Sequence, residues 1–190
     1  MRQGKFTFSP AFFCYSQFKT FFITIFFLTS VMLSAQSSLW QDVDESSIIN
    51  NQNRLIIPEE YRTLSLNISE LQNILMQAPL EFNQEAENSR IRIDLPLPDG
   101  GFAFFNIFES PIMEDELAAK FPELKTYIGE GFSAGIFNVR FDFTPSGFHA
   151  MIRTLNGTVY IDPYSKGNVD NYICYYKKDF MTYQDFVCEG

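Results

Sequence analysis

From residue 90 onward, apolar and polar residues alternate in short runs that are separated by turn-forming residues. Residues 90–95 place two isoleucines and a leucine between charged side chains, which is the period of a half-buried strand. Residues 96–101 are rich in proline and glycine and predict a turn, and residues 102–108 predict a second strand that returns beside the first. This pattern restricts the region to a fold built mainly from antiparallel hairpins.

The same period continues further along the chain. Val139, Phe141 and Phe143 alternate with polar neighbours, and Asn156-Gly157 is the strongest short hairpin signal in the sequence. His149 falls within one of these predicted strands, and we interpret it as a half-buried strand histidine. Further strands are predicted at residues 61–66, 126–128, 148–152, 159–161 and 172–176.

Two short helices are predicted among the strands. Asn67 is a good N-cap with Glu70 three places on, as in a capping box, and Pro79 ends that helix. Residues 113–121 predict the second helix, whose early acidic residues favour its positive end. We therefore predict an α+β, β-rich fold, an antiparallel sheet or sandwich of about seven strands with two short helices.

The N-terminus has the features of an export signal. Three basic residues precede an almost wholly apolar run at residues 21–33, which is shorter than the roughly 20 residues that span a bilayer. Small residues follow, and cleavage is expected after Ala35, with an uncleaved membrane anchor as the alternative. The protein is thus expected to be exported, either secreted or at the cell surface, with no stable membrane span after cleavage. We predict a signal peptide at 1–35, a polar lead-in at 36–60, a β-rich domain at 61–180 and a tail at 181–190.

The predicted mature region is strongly acidic. All 23 acidic residues follow Ala35, together with 11 of the 14 basic residues, which gives that region a net charge of −12. Nucleic acid is an unfavourable partner for such a surface, because phosphates require basic contacts. The charge suits a solvated extracellular protein or one that covers a complementary basic patch.

Sequence motifs for catalysis are missing. His149 is the single histidine, whereas a HExxH metallopeptidase requires two on one helix face. The chain also lacks a GxSxG elbow, a P-loop and a dinucleotide fingerprint. We predict that the protein is not an enzyme and carries no cofactor of its own. A hydrolase with a carboxylate pair is the third alternative, although no two carboxylates are favoured by the sequence.

Nine short segments, in one order, carry a resemblance to a known family. They are residues 39–43, 62–66, 78–82, 95–100, 109–113, 122–127, 140–142, 147–151 and 160–164. Together they resemble the N-terminal propeptide region of secreted bacterial reprolysin-like zinc metallopeptidases. The resemblance implies a non-catalytic pro-region that aids folding of a catalytic domain and inhibits it, with that domain absent from this chain. The partner would be that domain, in cis in a longer precursor or in trans, and residues 181–190 would begin the linker to it.

Cys174 and Cys188 are the cysteines that follow the signal. In an exported protein they are candidates for a disulfide, and their spacing permits one. In a pro-region, a free Cys188 is instead a candidate ligand to the zinc of the partner catalytic domain, because a thiolate binds zinc well. Cys188 lies about where a switch cysteine is expected from the resemblance, without the full cysteine-switch signature.

A stand-alone extracellular binding module, for carbohydrate or surface attachment, is the alternative to a pro-region. Such a module would bind through exposed aromatic side chains. Three tyrosines of the last predicted strand, Tyr172, Tyr175 and Tyr176, are the candidates for a sugar-stacking face, although aromatic residues in strands more often pack in the core.

Overall fold

The computed structural model describes residues 39–49 and 52–180. Within these ranges the chain forms one antiparallel sheet in the order β1-β2-β9-β8-β7-β6-β5-β4-β3. Its strands are β1 (Trp40–Asp42), β2 (Arg62–Leu66), β3 (Arg92–Pro96), β4 (Phe102–Glu109), β5 (Lys125–Gly131), β6 (Ile136–Thr144), β7 (Gly147–Thr154), β8 (Gly157–Pro163) and β9 (Asn171–Tyr176). Three short helices accompany it, α1 (Ile68–Leu75), α2 (Gln84–Asn88) and α3 (Asp115–Ala118), with 3₁₀ turns at Glu45–Ser47 and Lys177–Asp179.

The β-rich, antiparallel prediction is confirmed, but the count of about seven strands was too low. Nine strands lie in the described ranges, and they form a single sheet rather than a sandwich of two. The prediction missed β1 because it has three residues and lies in a stretch that we assigned to a polar lead-in. Trp40 nevertheless is only 1% exposed, so β1 belongs to the folded domain.

Strands β3 to β8 follow one another as hairpins, as their local sequence predicts. The β6–β7 turn brings Phe143 opposite Phe148, and the β7–β8 turn brings Thr154 opposite Gly157. Gly147 and Gly157 have φ angles of 116° and 128°, and residues other than glycine rarely adopt such values. These glycines therefore fix the two tight turns.

Strand β9 lies inside the sheet, between β8 and β2, although it is the last strand of the chain. Its inner face joins the main core, where the Trp40 ring lies 5.4 Å from Phe148 and 5.5 Å from Tyr172. Its outer face carries Ile173 and Tyr175, which are covered by side chains of the stretch before β2. Both faces of β9 are therefore buried, which explains why this strand is almost wholly apolar and aromatic.

A single arginine connects distant strands of the sheet. The Arg62 guanidinium on β2 donates to both carboxylate oxygens of Asp42 on β1, at 2.5 and 2.8 Å. Its third nitrogen donates to the carbonyl oxygens of Leu97 and Gly101, both at 3.0 Å, in the turn between β3 and β4. Because β2 and β3 lie far apart in the strand order, the sheet must curl to bring them together.

Helix α1 begins as the sequence predicts. The Asn67 side chain accepts a hydrogen bond from the backbone N–H of Glu70 at 3.2 Å, which caps the first turn. Leu71 and Leu75 are buried against the main core. Among the described residues, none of the helices has the length and apolar character needed to cross a membrane.

Candidate functional site

Three titratable side chains lie side by side on the outer face of the sheet. Asp142 of β6 is the register partner of His149 of β7, and the His149 Nδ1 atom lies 3.4 Å from an Asp142 carboxylate oxygen. Asp162 of β8 interacts electrostatically with His149 from the other side. Its carboxylate accepts a hydrogen bond of 2.9 Å from the Tyr175 hydroxyl. We call these four residues the His149 cluster.

The environment shifts the pKa of His149, Asp162 and Tyr175 in a definite direction. The hydrogen bond that His149 donates to the Asp142 carboxylate raises the pKa of His149, and burial partly opposes this. Burial raises the pKa of Asp162, and the Tyr175 hydrogen bond partly offsets it. Burial also raises the pKa of Tyr175, so its hydroxyl keeps its proton and remains a donor. The cluster therefore favours a protonated histidine between two aspartates.

A depression of about 340 Å³ adjoins the histidine side of this cluster. It is lined by Leu55, Ile56, Pro145, Ser146, His149, Asp162, Pro163, Ser165, Lys166 and Gly167. His149 is half-buried, with 38% of its side chain exposed, as its position in a strand predicts. No group of three or more His, Cys, Asp or Glu side chains that suits a metal ion occurs in the ranges that the structure describes.

An apolar groove of about 420 Å³ lies on the other side of Asp142. We call it the 111–124 groove, because the segment between β4 and β5 supplies most of its wall. It is lined by Glu109, Pro111, Ile112, Met113, Ala118, Phe121, Pro122, Leu124, Lys125, Thr126, Asp142 and Thr144. Asp142 lines this groove and His149 lines the neighbouring depression, so their contact forms the boundary between the two.

Several contacts join β4 to β5 among the residues that line the groove. Lys125 Nζ lies 2.7 Å from a carboxylate oxygen of Glu109, which joins β4 to β5 beneath the segment. The backbone N–H of Ser110 and the Thr126 hydroxyl make hydrogen bonds across the same two strands, with Thr126 O and Ser110 O. The helix α3 lies between two stretches of this segment, and apolar side chains from both stretches line the groove.

Of the two cysteines that we considered as a pair, Cys174 lies within the described residues and Cys188 does not. Cys174 is a buried free thiol on β9, and its sulfur donates to the carbonyl oxygen of Pro96 at 3.3 Å. Burial raises the pKa of this thiol, which keeps it protonated and unreactive. Cys188 lies outside the described residues, so both the disulfide and the zinc-ligand role stay predictions.

The tyrosine face that we considered for sugar stacking does not form. Tyr172 is fully buried and Tyr175 is 3% exposed. The Tyr172 hydroxyl donates to Val169 O at 2.8 Å and accepts from the Phe148 N–H at 3.1 Å. Only Tyr176 of the three is partly exposed, so these tyrosines serve the core rather than a common surface.

The sequence did not lead us to the groove, since most of its lining residues fall between predicted strands. The signal was present in two of the resembling segments, residues 109–113 and 122–127, which supply eight of its twelve lining residues. Comparison with known proteins adds no further guide, because no family model, curated protein or solved structure matches the chain.

Proposed function

We propose that the chain is the non-catalytic pro-region of a secreted zinc metallopeptidase. In this role it binds the catalytic domain of the peptidase, assists its folding and keeps it inactive until the pro-region is removed. The proposal starts from the resemblance of nine ordered segments to that family. It assigns the chain no catalytic residue and no cofactor of its own.

One observation in the structure carries the proposal further. Five of the nine segments that give the resemblance contribute residues to the 111–124 groove or to the depression beside His149. Residues 109–113 and 122–127 line the 111–124 groove, and Asp142, from the segment 140–142, lies at its edge. His149 and Asp162, from two further segments, line the adjoining depression. Residues far apart in the chain thus line two concave surfaces that are linked by the contact between Asp142 and His149, which suits a binding face for a partner domain.

Export fits this role. The proposed signal peptide at residues 1–35 would direct the chain outside the cytoplasm, where secreted peptidases are activated. The remaining net charge of −12 keeps the folded domain soluble and suits a partner with a basic surface. The zinc ion in this proposal belongs to the catalytic domain, and Cys188 is the residue of this chain that would approach it.

The direct test is inhibition of a reprolysin-like zinc peptidase from the same source by purified residues 36–190. These residues contain the whole described core, which begins at Leu39. We expect concentration-dependent inhibition of the zinc peptidase and none of a serine peptidase. Inhibition that weakens on Cys188→Ser supports the zinc-directed thiol, and inhibition unchanged by this substitution rejects the thiol while keeping the pro-region. Absence of binding and inhibition would reject the pro-region and favour a stand-alone binding module.

A further inference from the structure

We infer that the 111–124 groove binds a protein segment with an apolar side chain flanked by lysine or arginine. This inference rests on the proposed function, because the partner that supplies the segment is the catalytic domain that the pro-region would bind. The evidence is the unusual exposure of the apolar groove residues and the excess of acidic groups around them.

Several large apolar side chains that line the 111–124 groove are exposed to solvent. Ile112 is 72% exposed and Phe121 is 43% exposed, and both side chains line the groove. Leu124 adds a further exposed apolar side chain on the same segment. Single exposed apolar residues are normal, but a contiguous group around a concave groove marks a binding surface.

The chain segment that forms most of the groove wall is predominantly acidic. Glu114, Asp115 and Glu116 surround the start of α3, and Glu123 lies next to Leu124 on the return of the segment. Within the described residues, these four carboxylates form no ion pair.

The basic groups nearby do not neutralise these carboxylates. Lys120 and Lys125 are the lysines of the segment 109–126, and Lys125 is already bound to Glu109. Asp142, at the groove edge, has His149 as its partner. Basic residues beside the apolar anchor of an occupant would therefore lie near a segment with four carboxylates that have no cationic partner among the described residues.

The combination selects one kind of occupant. An acidic segment would be repelled by these four carboxylates. A purely basic segment would leave the apolar lining of the groove in water. A segment that combines an apolar anchor with basic flanks satisfies both, with the anchor providing most of the affinity and the flanks providing orientation. A net positive patch on the partner would also match the acidic charge of this domain.

The inference can be tested with labelled peptides and residues 36–190 by fluorescence anisotropy. The first peptide carries a central Leu-Phe-Leu with lysines on both sides. The second replaces its lysines by glutamates, and the third keeps the lysines but replaces the apolar centre by serine and glycine. We expect binding of the first peptide alone, weakened by added salt because exposed charges are screened.

Matched variants locate the binding. Ile112→Asp should weaken binding by about tenfold or more, which is the effect of losing one buried apolar side chain. Ile57→Asp, at an apolar residue 64% exposed outside the groove, should leave it unchanged. Changing Glu116 and Glu123 together to Gln should weaken binding by about two- to fivefold, whereas Glu60→Gln should not.

Equal binding of the lysine and glutamate peptides would overturn the inference, as would undiminished binding by Ile112→Asp or no binding of any peptide. These outcomes are separable from those of the proposed function. Peptidase inhibition that survives Ile112→Asp keeps the pro-region and rejects the groove as its contact. Peptide binding without peptidase inhibition keeps the groove and rejects the pro-region.

Discussion

Replacing Arg62 by methionine tests whether one side chain holds the curled sheet together. Methionine keeps an apolar stem over the Phe102 ring, where the guanidinium carbon lies 5.0 Å from the ring centre. It removes the hydrogen bonds to Asp42 on β1 and to the carbonyl oxygens of Leu97 and Gly101 in the β3–β4 turn. The substitution therefore disconnects β2 from two other parts of the sheet while changing side-chain volume little.

The size of the effect follows from the exposure of each partner. The Arg62 side chain is only 11% exposed, whereas Asp42 is 66% exposed and can be solvated when its partner is lost. The Asp42 pair is therefore worth about 0.2–1 kcal/mol, as for surface ion pairs. The hydrogen bonds from a charged donor to the two carbonyl oxygens are worth about 1.5–3 kcal/mol each, less where water replaces the donor. We expect Arg62→Met to lower the free energy of unfolding by about 2–4 kcal/mol.

Urea unfolding of residues 36–190, followed by tryptophan fluorescence, measures this directly. Trp40 is the single tryptophan of the chain and is buried in the core, so its emission reports on the whole fold. Asp42→Asn is the matched variant, and we expect it to cost about 1 kcal/mol or less. A loss below about 1 kcal/mol for Arg62→Met, or an equal loss for Asp42→Asn, would show that the carbonyl contacts do not stabilise the curl.

Three further predictions concern single groups in the fold. The pKa of His149 should lie above its ordinary value of 6.5 and fall on Asp142→Asn, which the NMR titration of this single histidine measures. Its raised pKa stabilises the fold fully below pH 6.5, and this contribution should be lost as the pH rises through the raised value. Cys174 should react with a thiol reagent only after unfolding, as measured in residues 36–190 carrying Cys188→Ser, because burial keeps its thiol protonated. Gly129→Ala should destabilise the fold by about 1–3 kcal/mol in urea unfolding, because its Cβ would lie 2.7 and 2.9 Å from core side chains of β6 and β4.

Each of these three predictions has a control variant or an outcome that would contradict it. Gly101→Ala, where the nearest atom to the new Cβ is 3.8 Å away, should be close to neutral. A histidine pKa that is unchanged by Asp142→Asn would mean that their contact is not maintained in solution. Native-state labelling of Cys174 at the rate of an exposed thiol would contradict the burial of β9.

Local sequence was sufficient for the parts of the fold that are stabilised by near neighbours. The alternation of Val139 and Phe141 with polar residues placed the inner face of β6, and both side chains are buried. The Asn156-Gly157 turn and the Asn67 cap were likewise read from a few adjacent residues. In each case the physical signal is contained within one turn or one strand.

The remaining features depend on contacts between distant segments. The pairing of β2 with β9 places Arg62 opposite Cys174, and no local pattern specifies such a partner. The strand β1 is recognisable only once the burial of Trp40 is known. The 111–124 groove likewise arises because its wall is folded over β5 and β6, so its residues appear in sequence as an ordinary connection.

The position of β9 also constrains how the chain acquires its fold. This strand is the last of the nine to be synthesised, yet it lies between β8 and β2 and is the one strand of the described ranges that pairs both with β2 and with β8. The register pair of Arg62 with Cys174 closes a very long loop, which slows folding because the chain loses entropy before the contact is made. The sheet therefore cannot be completed during synthesis until β9 has emerged, and a nascent chain would remain incompletely folded and accessible to chaperones until then.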